Sequence, residues 1–401
     1  MADRRPEVAD VFREHGAGFL KNSGHSISVE QRRVLRDIAR CRTAALGGHR
    51  QRCEHCGYED ISYNSCRNRH CPKCQASTRA EWLEKEAANL LDVPYFHVVF
   101  TLPAEVGPLA LQNRREVYGA LFRAASDTLS TIARDPKHLG AEPGFLMVLH
   151  TWGQNLLLHP HVHCVVPGGG ISPDGSRWIS SQAGFFLPVR VLSRLFRGKF
   201  IALLDGLYKK GKLSFFGQLD HLRDRPAWEA FLAPLRKAEW VVYSKPPFGG
   251  PKQVLKYLAR YTHRVAISNR RILSLHAGKV RFRWKDYAHG SKQRTMELSA
   301  GEFIRRFLLH VIPQGFVRVR HYGFLANRSR RKMLEQARAL LGQPSADAES
   351  ASVVGSCDRV GLEKAADPFL CPRCKQGQLV IVGDIQPVVM VSAGMEVFDT
   401  S

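Results

Sequence analysis

The stretch LLLHPHVHCVVPGGG, residues 156–170, decides how the chain is read. Histidines stand at 159, 161 and 163, and alternate side chains of a β-strand share one face. A strand here therefore turns three imidazoles the same way. Neutral imidazole is the commonest metal ligand, so His161 and His163 are candidates to hold a metal ion. Pro160 lacks a donor for the strand ladder, which predicts a bulge or an edge position beside the histidines. An ion held by two histidines needs at least one more donor, and Gln154 and His159 are both within reach along the chain.

The surroundings of this strand narrow what it could serve. With 401 residues the chain is long enough for two or three domains. It has no apolar run near the roughly 20 residues of a membrane span, and its first residues do not form a secretory signal. The expectation is a cytoplasmic protein. The net charge of +23 is unevenly placed. Residues 251–340 hold 21 basic and 4 acidic side chains, or +17, whereas residues 352–401 hold 4 and 6, or −2. A basic block inside folded sequence points to a polyanion, most simply nucleic acid.

Several elements can be placed. Ser28 and Gln31 form a capping box ahead of helically spaced Val34, Leu35 and Ile38. The run PYFHVVFTLP (94–103) reads as a strand, and residues 109–133 as a helix. GFLMVLHTWGQNLLLHPHVHCVVPGGG reads as two strands or one long bent one. The reading divides the chain into an N-terminal helical region (1–48), a zinc-binding module (49–78), a catalytic domain (79–340), a linker (341–370) and a tail (371–401).

Ten cysteines in a chain without a secretory signal suggest metal rather than disulfides. Cys53-x2-Cys56 and Cys71-x2-Cys74 are separated by fourteen residues, a spacing that closes a tetrahedral structural zinc site. Cys66 and His70 lie between them and could replace one member or serve a second ion. The tail holds one more pair, Cys371-x2-Cys374, as a half-site, a site shared between copies, or a remnant.

Tyr257 and Tyr261, in KYLARYTHR, are four residues apart and so share one face of a helix. Lys256, Arg260 and Arg264 flank them. Cations beside a phenol favour the phenolate, and a tyrosine near a metal-bound phosphodiester is placed to attack phosphorus and keep the DNA end covalently. Arg281 and Arg283 in VRFRWKDY are further candidates for the DNA backbone, and Trp284, Tyr287 and Tyr322 are candidates to stack on unpaired bases.

The order of FTLP strand, His161-Val162-His163 and a tyrosine helix resembles the HUH superfamily of single-strand endonucleases. WGQNLLLHPHVHCVVPGGG, YLARYTHRVAISNRRI and the zinc module together resemble the two-tyrosine transposases of the insertion-sequence-ninety-one family, from about residue 48 to 326. The resemblance implies an α+β fold with a palm-like antiparallel sheet and helices, behind a small helical, zinc-binding N-terminal part. It implies a DNA strand transferase that nicks and rejoins single-stranded DNA through a 5′-phosphotyrosine, for rolling-circle transposition. Tyr257 and Tyr261 would be the nucleophiles. His161, His163 and Gln154 would hold Mg2+ or Mn2+, with His159 and His263 as rivals for the third place, and the cysteines would hold Zn2+. Two other readings use fewer of these features. A zinc-containing DNA-binding regulator leaves the histidines and tyrosines idle, and a metal-dependent hydrolase leaves the paired tyrosines unexplained. A rolling-circle replication initiator would share the chemistry.

Overall fold

In a computed structural model of the chain, residues 4–182, 186–248, 253–254, 265–286, 290–344 and 370–388 are described. Two helices lead, α1 (Val8–Ser23) and α2 (Val29–Arg40). The capping box of α2 forms as read, with Gln31 N–H donating to Ser28 Oγ at 3.2 Å and Ser28 N–H to Gln31 Oε1 at 2.8 Å. A hairpin of β1 (Gly48–Cys53) and β2 (Glu59–Tyr63) precedes α3 (Pro72–Ala87).

The large sheet begins with β3 (Tyr95–Thr101). The helix expected from 109 to 133 is two, α4 (Gly107–Gln112) and α5 (Arg114–Arg134). The break is at Asn113, whose side-chain amide serves Ser214 instead, accepting from its N–H at 2.6 Å and donating to its carbonyl at 2.9 Å. Next come β4 (Glu142–Trp152), β5 (Leu158–Pro167), β6 (Gly169–Ile171) and β7 (Trp178–Ser180). The glycines after β5 have a packing reason. A Cβ on Gly170 would lie 2.4 Å from the Glu142 carbonyl oxygen, so only glycine lets β6 approach β4 this closely. The helices α6 (Val189–Lys209) and α7 (Arg225–Lys237) lead to β8 (Val242–Phe248).

A second sheet is the meander of β9 (Ile272–His276), β10 (Lys279–Asp286) and β11 (Lys292–Ser299), followed by α8 (Ala300–Leu308). Then come β12 (Val319–Gly323), α9 (Arg330–Leu340) and, in the tail, β13 (Leu379–Ile385).

The large sheet is antiparallel in every pairing, in the order β7-β6-β4-β5-β3-β8, with β12 also on β4. This is the expected α+β architecture. Its two faces differ in kind. Phe96, Val98, Phe100, Met147, Leu149, Val162, Cys164 and Val166 point one way and are buried among residues of α5, α6 and α7. Completely burying one such side chain is worth about 1.5–3 kcal/mol, so this layer fixes which face the odd-numbered residues of β5 must take. Along β5, His161, His163 and Val165 take the opposite face. There Tyr95, Leu146, Val148 and Val165 pack with Leu83 of α3, Leu334 of α9 and Val254.

Around the second sheet lies a separate core. Val280 and Phe282 on the inner face of β10 and Phe303, Ile304 and Phe307 of α8 pack against Val8, Phe12, Val34 and Ile38 of the leading helices. Gln31 Nε2 also donates to the Leu308 carbonyl at 2.7 Å. The N-terminal helices are thus joined to a hairpin sheet more than 200 residues later, rather than standing apart as region 1–48. The tail likewise does not stand alone, because β13 runs antiparallel to β1 and the small sheet has the order β13-β1-β2. Most of the expected linker, residues 345–369, is outside the described residues.

Candidate active site

The β4–β5 hairpin builds the histidine site. The strands pair so that His150 lies opposite His161 and Val148 opposite His163. On the other side of β5, Thr101 and Val99 of β3 lie opposite the same two histidines. The expected irregularity at Pro160 is a register shift between His150 and Trp152, across from it. Imidazole nitrogens of His150, His161 and His163 all lie within 4.8 Å of one another. His150 thus joins the pair as a further side chain that could hold an ion. Gln154 and His159, the two reach-based candidates, line the same cleft, while His263 is outside the described residues.

The hydrogen bonds fix which nitrogens face inward. His161 Nδ1 is 2.6 Å from the His159 carbonyl oxygen, which only accepts, so this nitrogen carries the proton. In the neutral ring its Nε2 then offers a lone pair. His163 Nδ1 lies 2.9 Å from Nε2 of His97 on β3, leaving His163 Nε2 toward His161 Nε2, 3.1 Å away. Two ligand nitrogens in adjacent positions on one ion, with bonds of about 2.1 Å, would be about 3 Å apart. The donor set fits a divalent ion, and the His159 carbonyl and His97 are the outer partners such ligands require. The ring of Trp152 stacks on His150 at 4.6 Å and holds it over the hairpin.

The triad sits in a cleft of about 690 Å3 whose other walls include Val99, Thr101, Leu157, Leu158, Val241 and Tyr243. Tyr243 is 47% exposed and lies beside Val99 on the wall of the cleft. The lip of the cleft is the loop from Gly153 to Leu157. Leu156 is buried there with φ +63°, an uncommon conformation for a residue with a branched side chain. Side chains from just before β9, from α8 and from just after α8 hold three successive carbonyls of this loop. Arg271 donates to Gln154, Arg306 to Asn155 at 3.1 Å, and His310 Nε2 to Leu156 at 3.0 Å. His310 Nδ1 accepts from Thr151 Oγ at 3.2 Å. Burial pushes the His310 pKa down to about 4, keeping it neutral for this double role.

Among the described residues, eight cysteines form two clusters, not the single expected one. Cys71 and Cys74 join Cys41 and Cys66, while Cys53 and Cys56 join Cys371 and Cys374. The physical reason is that β1 and β2 lead the two CxxC turns to opposite ends of the module. His70 belongs to neither cluster. It is buried with Thr151, His310 and Arg318, and burial pushes its pKa down to about 3. In the first cluster the sulfurs of Cys41 and Cys74, Cys66 and Cys74, and Cys71 and Cys41 are each 3.6 Å apart.

Other sequence candidates are distributed as follows. Arg281 and Arg283 are exposed on the outer face of β10. Trp284 packs against the second core, and Tyr322 stacks on Phe145 at 5.4 Å on the face opposite the histidines, so neither is an open stacking surface of the cleft. Tyr257, Tyr261, Lys256, Arg260, Arg264 and Tyr287 are outside the described residues. His150, His97 and Tyr243 were missed in the sequence. A signal existed for His150: once 148 and 163 face each other across an antiparallel turn, 150 must face 161.

A central antiparallel sheet carrying a histidine triad thus follows a cysteine-rich module in the chain. Comparison with known proteins gives the family. Residues 144–333 match the family described as "Putative transposase", and residues 11–102 match "Transposase zinc-binding domain". The chain is 57% identical over 384 residues to "Putative transposase y4qJ" of Sinorhizobium fredii (strain NBRC 101917 / NGR234), covering 95% of this chain and 96% of that one. It is 29% identical over 315 residues to "Transposase for insertion sequence element IS801" of Pseudomonas savastanoi pv. phaseolicola, covering 77% of this chain and 73% of that one. No solved structure gives a significant match. The chain belongs to the insertion-sequence-ninety-one family of transposases. It is thus a DNA strand-transfer enzyme with a zinc-binding domain. Among the described residues no helix is long and apolar enough to cross a membrane.

Proposed function

We propose that this transposase nicks and rejoins single-stranded DNA by tyrosine transesterification, driving rolling-circle transposition in the cytoplasm. The observation that carries the reading is the convergence of His150, His161 and His163 in the open cleft. These three residues would hold Mg2+ or Mn2+, with Gln154 at the rim. When bound, the ion would polarise and orient the scissile phosphate.

Tyr257 and Tyr261 are the proposed nucleophiles. The phenolic oxygen of one attacks phosphorus and the bond to the 3′ oxygen breaks. The products are a 5′-phosphotyrosine and a 3′-hydroxyl, the phenol giving up a proton and the 3′ oxygen gaining one. The number of phosphodiester bonds is conserved, so the step reverses to join strands, and a second tyrosine allows two ends to be held at once. Val254, three residues before Tyr257, is helical and fully buried on the histidine face of the sheet. Lys256, Arg260, Arg264, Arg281 and Arg283 would hold the DNA backbone, and Tyr243 would take an unpaired base.

The test is nicking of a labelled pool of random single-stranded DNA with Mg2+ or Mn2+. The native chain should cleave, and a His161→Ala, His163→Ala variant should not while retaining its DNA binding. Equal cleavage by the two would remove the triad from the reaction.

A further inference from the structure

We infer that the carboxy-terminal segment is a zinc-held clasp: Cys371 and Cys374 complete a second tetrathiolate zinc site with Cys53 and Cys56, closing the N-terminal module with the far end of the chain. The matched zinc-binding domain ends at residue 102, so this site uses ligands that lie beyond it. Cys56 and Cys371 are 315 positions apart in sequence.

The geometry is that of a closed site. Cys53 Sγ lies 3.7 Å from Cys374 Sγ, and Cys56 Sγ lies 3.7 Å from Cys371 Sγ. A zinc tetrahedron with bonds of about 2.3 Å has an edge of about 3.8 Å, whereas a disulfide needs about 2.05 Å. Each turn has a sulfur facing the backbone amide three residues on. Cys56 N–H points at Cys53 Sγ at 3.5 Å, and Gly377 N–H points at Cys374 Sγ at 3.4 Å. The residue after each second cysteine is left-handed, Gly57 at φ +66° and Lys375 at φ +56°. Backbone amides directed at sulfur favour thiolate over thiol, as a metal ligand requires.

A second observation comes from the backbone. Gly377 lies so close to the opposite turn that a Cβ there would be 2.5 Å from His55 Cβ and 2.7 Å from Cys53 Sγ. Around the site the tail is committed to this docking. Glu54 N–H donates to the Gln378 carbonyl at 3.1 Å, and β13 pairs with β1 from Cys53↔Leu379 to Gly48↔Ile385. The module's first hairpin is therefore left with an open edge and half a metal site until the last part of the chain has been made.

The experiment uses the purified full-length, zinc-loaded chain, with thiol alkylation read by peptide mass spectrometry and zinc by elemental analysis. Cys53, Cys56, Cys371 and Cys374 should be protected as one set and become reactive together as a chelator is titrated. Alkylation of Cys371 and Cys374 at the rate of free thiols in that chain would overturn the proposal, and this arm needs no variant to fold. A Cys371→Ser, Cys374→Ser chain should hold one zinc equivalent fewer and expose Cys53 and Cys56, with Cys41, Cys66, Cys71 and Cys74 still protected. A Gly377→Val chain should lose the same equivalent with every cysteine in place. Unchanged zinc content in both variants would equally overturn it.

Discussion

His97 Nε2 lies 2.9 Å from His163 Nδ1, joining a third strand of the sheet to the histidine triad. His97 is 5% exposed and cannot itself reach solvent freely. For His163 to present a lone pair at Nε2, its Nδ1 must donate to His97 Nε2, which in turn places the His97 proton on Nδ1. The relay fixes the tautomer of a candidate ligand from behind.

Replacing His97 with Ala should therefore weaken Mn2+ binding by about 10- to 100-fold, the usual effect of losing an outer partner of a metal ligand. Calorimetric titration of the folded variant measures it. Unchanged affinity would show that the relay does not matter to the site.

His150 and Gln154 separate cleanly. His150→Ala should lower Mn2+ affinity as strongly as His161→Ala, because its ring nitrogen is part of the cluster. Gln154→Ala should have a smaller effect on affinity, since Gln154 meets the cleft from the lip. The same titration decides it, and the reverse order would make Gln154 the third ligand.

How far the sequence disclosed this site follows from the range of each signal. Alternation along one strand is local, so His161 and His163 could be read directly. His150 and His97 belong to neighbouring strands, and their approach depends on pairing register that only the folded sheet supplies. The cysteines show the same division. Each CxxC turn was recognisable, but Cys41 comes from the end of α2 and Cys371 from the tail, and proximity in sequence favoured the wrong partners. The antiparallel α+β class was legible, whereas docking of the leading helices on α8 depends on contacts between distant elements.

His310 links the second core to the lip of the cleft. His310→Phe leaves the Leu156 carbonyl and Thr151 hydroxyl without their buried partner and should cost on the order of 2–4 kcal/mol. Its pH dependence has a definite sign. The folded pKa of about 4 is below the ordinary value of 6.5, so the unfolded chain binds more protons between them. This contribution to stability is complete above pH 6.5 and is lost as pH falls toward 4. Thermal unfolding followed over that range should show a shallower acid decline in His310→Phe than in the native chain.

Tyr243 is half-exposed and lines the cleft. Tyr243→Ala should weaken binding of single-stranded DNA by about 1–3 kcal/mol, the contribution of one base stacked on an aromatic ring. Binding of a duplex of the same sequence should change little, because its bases are already stacked. Fluorescence anisotropy with both substrates gives the comparison.

The central claim is that tyrosine, not water, attacks the DNA. It is tested most directly by incubating the full-length chain with end-labelled single-stranded DNA and Mn2+, then looking for label that stays on the protein through denaturation. The native chain should give an adduct, mapped to Tyr257 or Tyr261 by peptide mass spectrometry and absent from Tyr257→Phe, Tyr261→Phe. Cleavage with free 5′ ends and no adduct, or cleavage undiminished in the double variant, would contradict it.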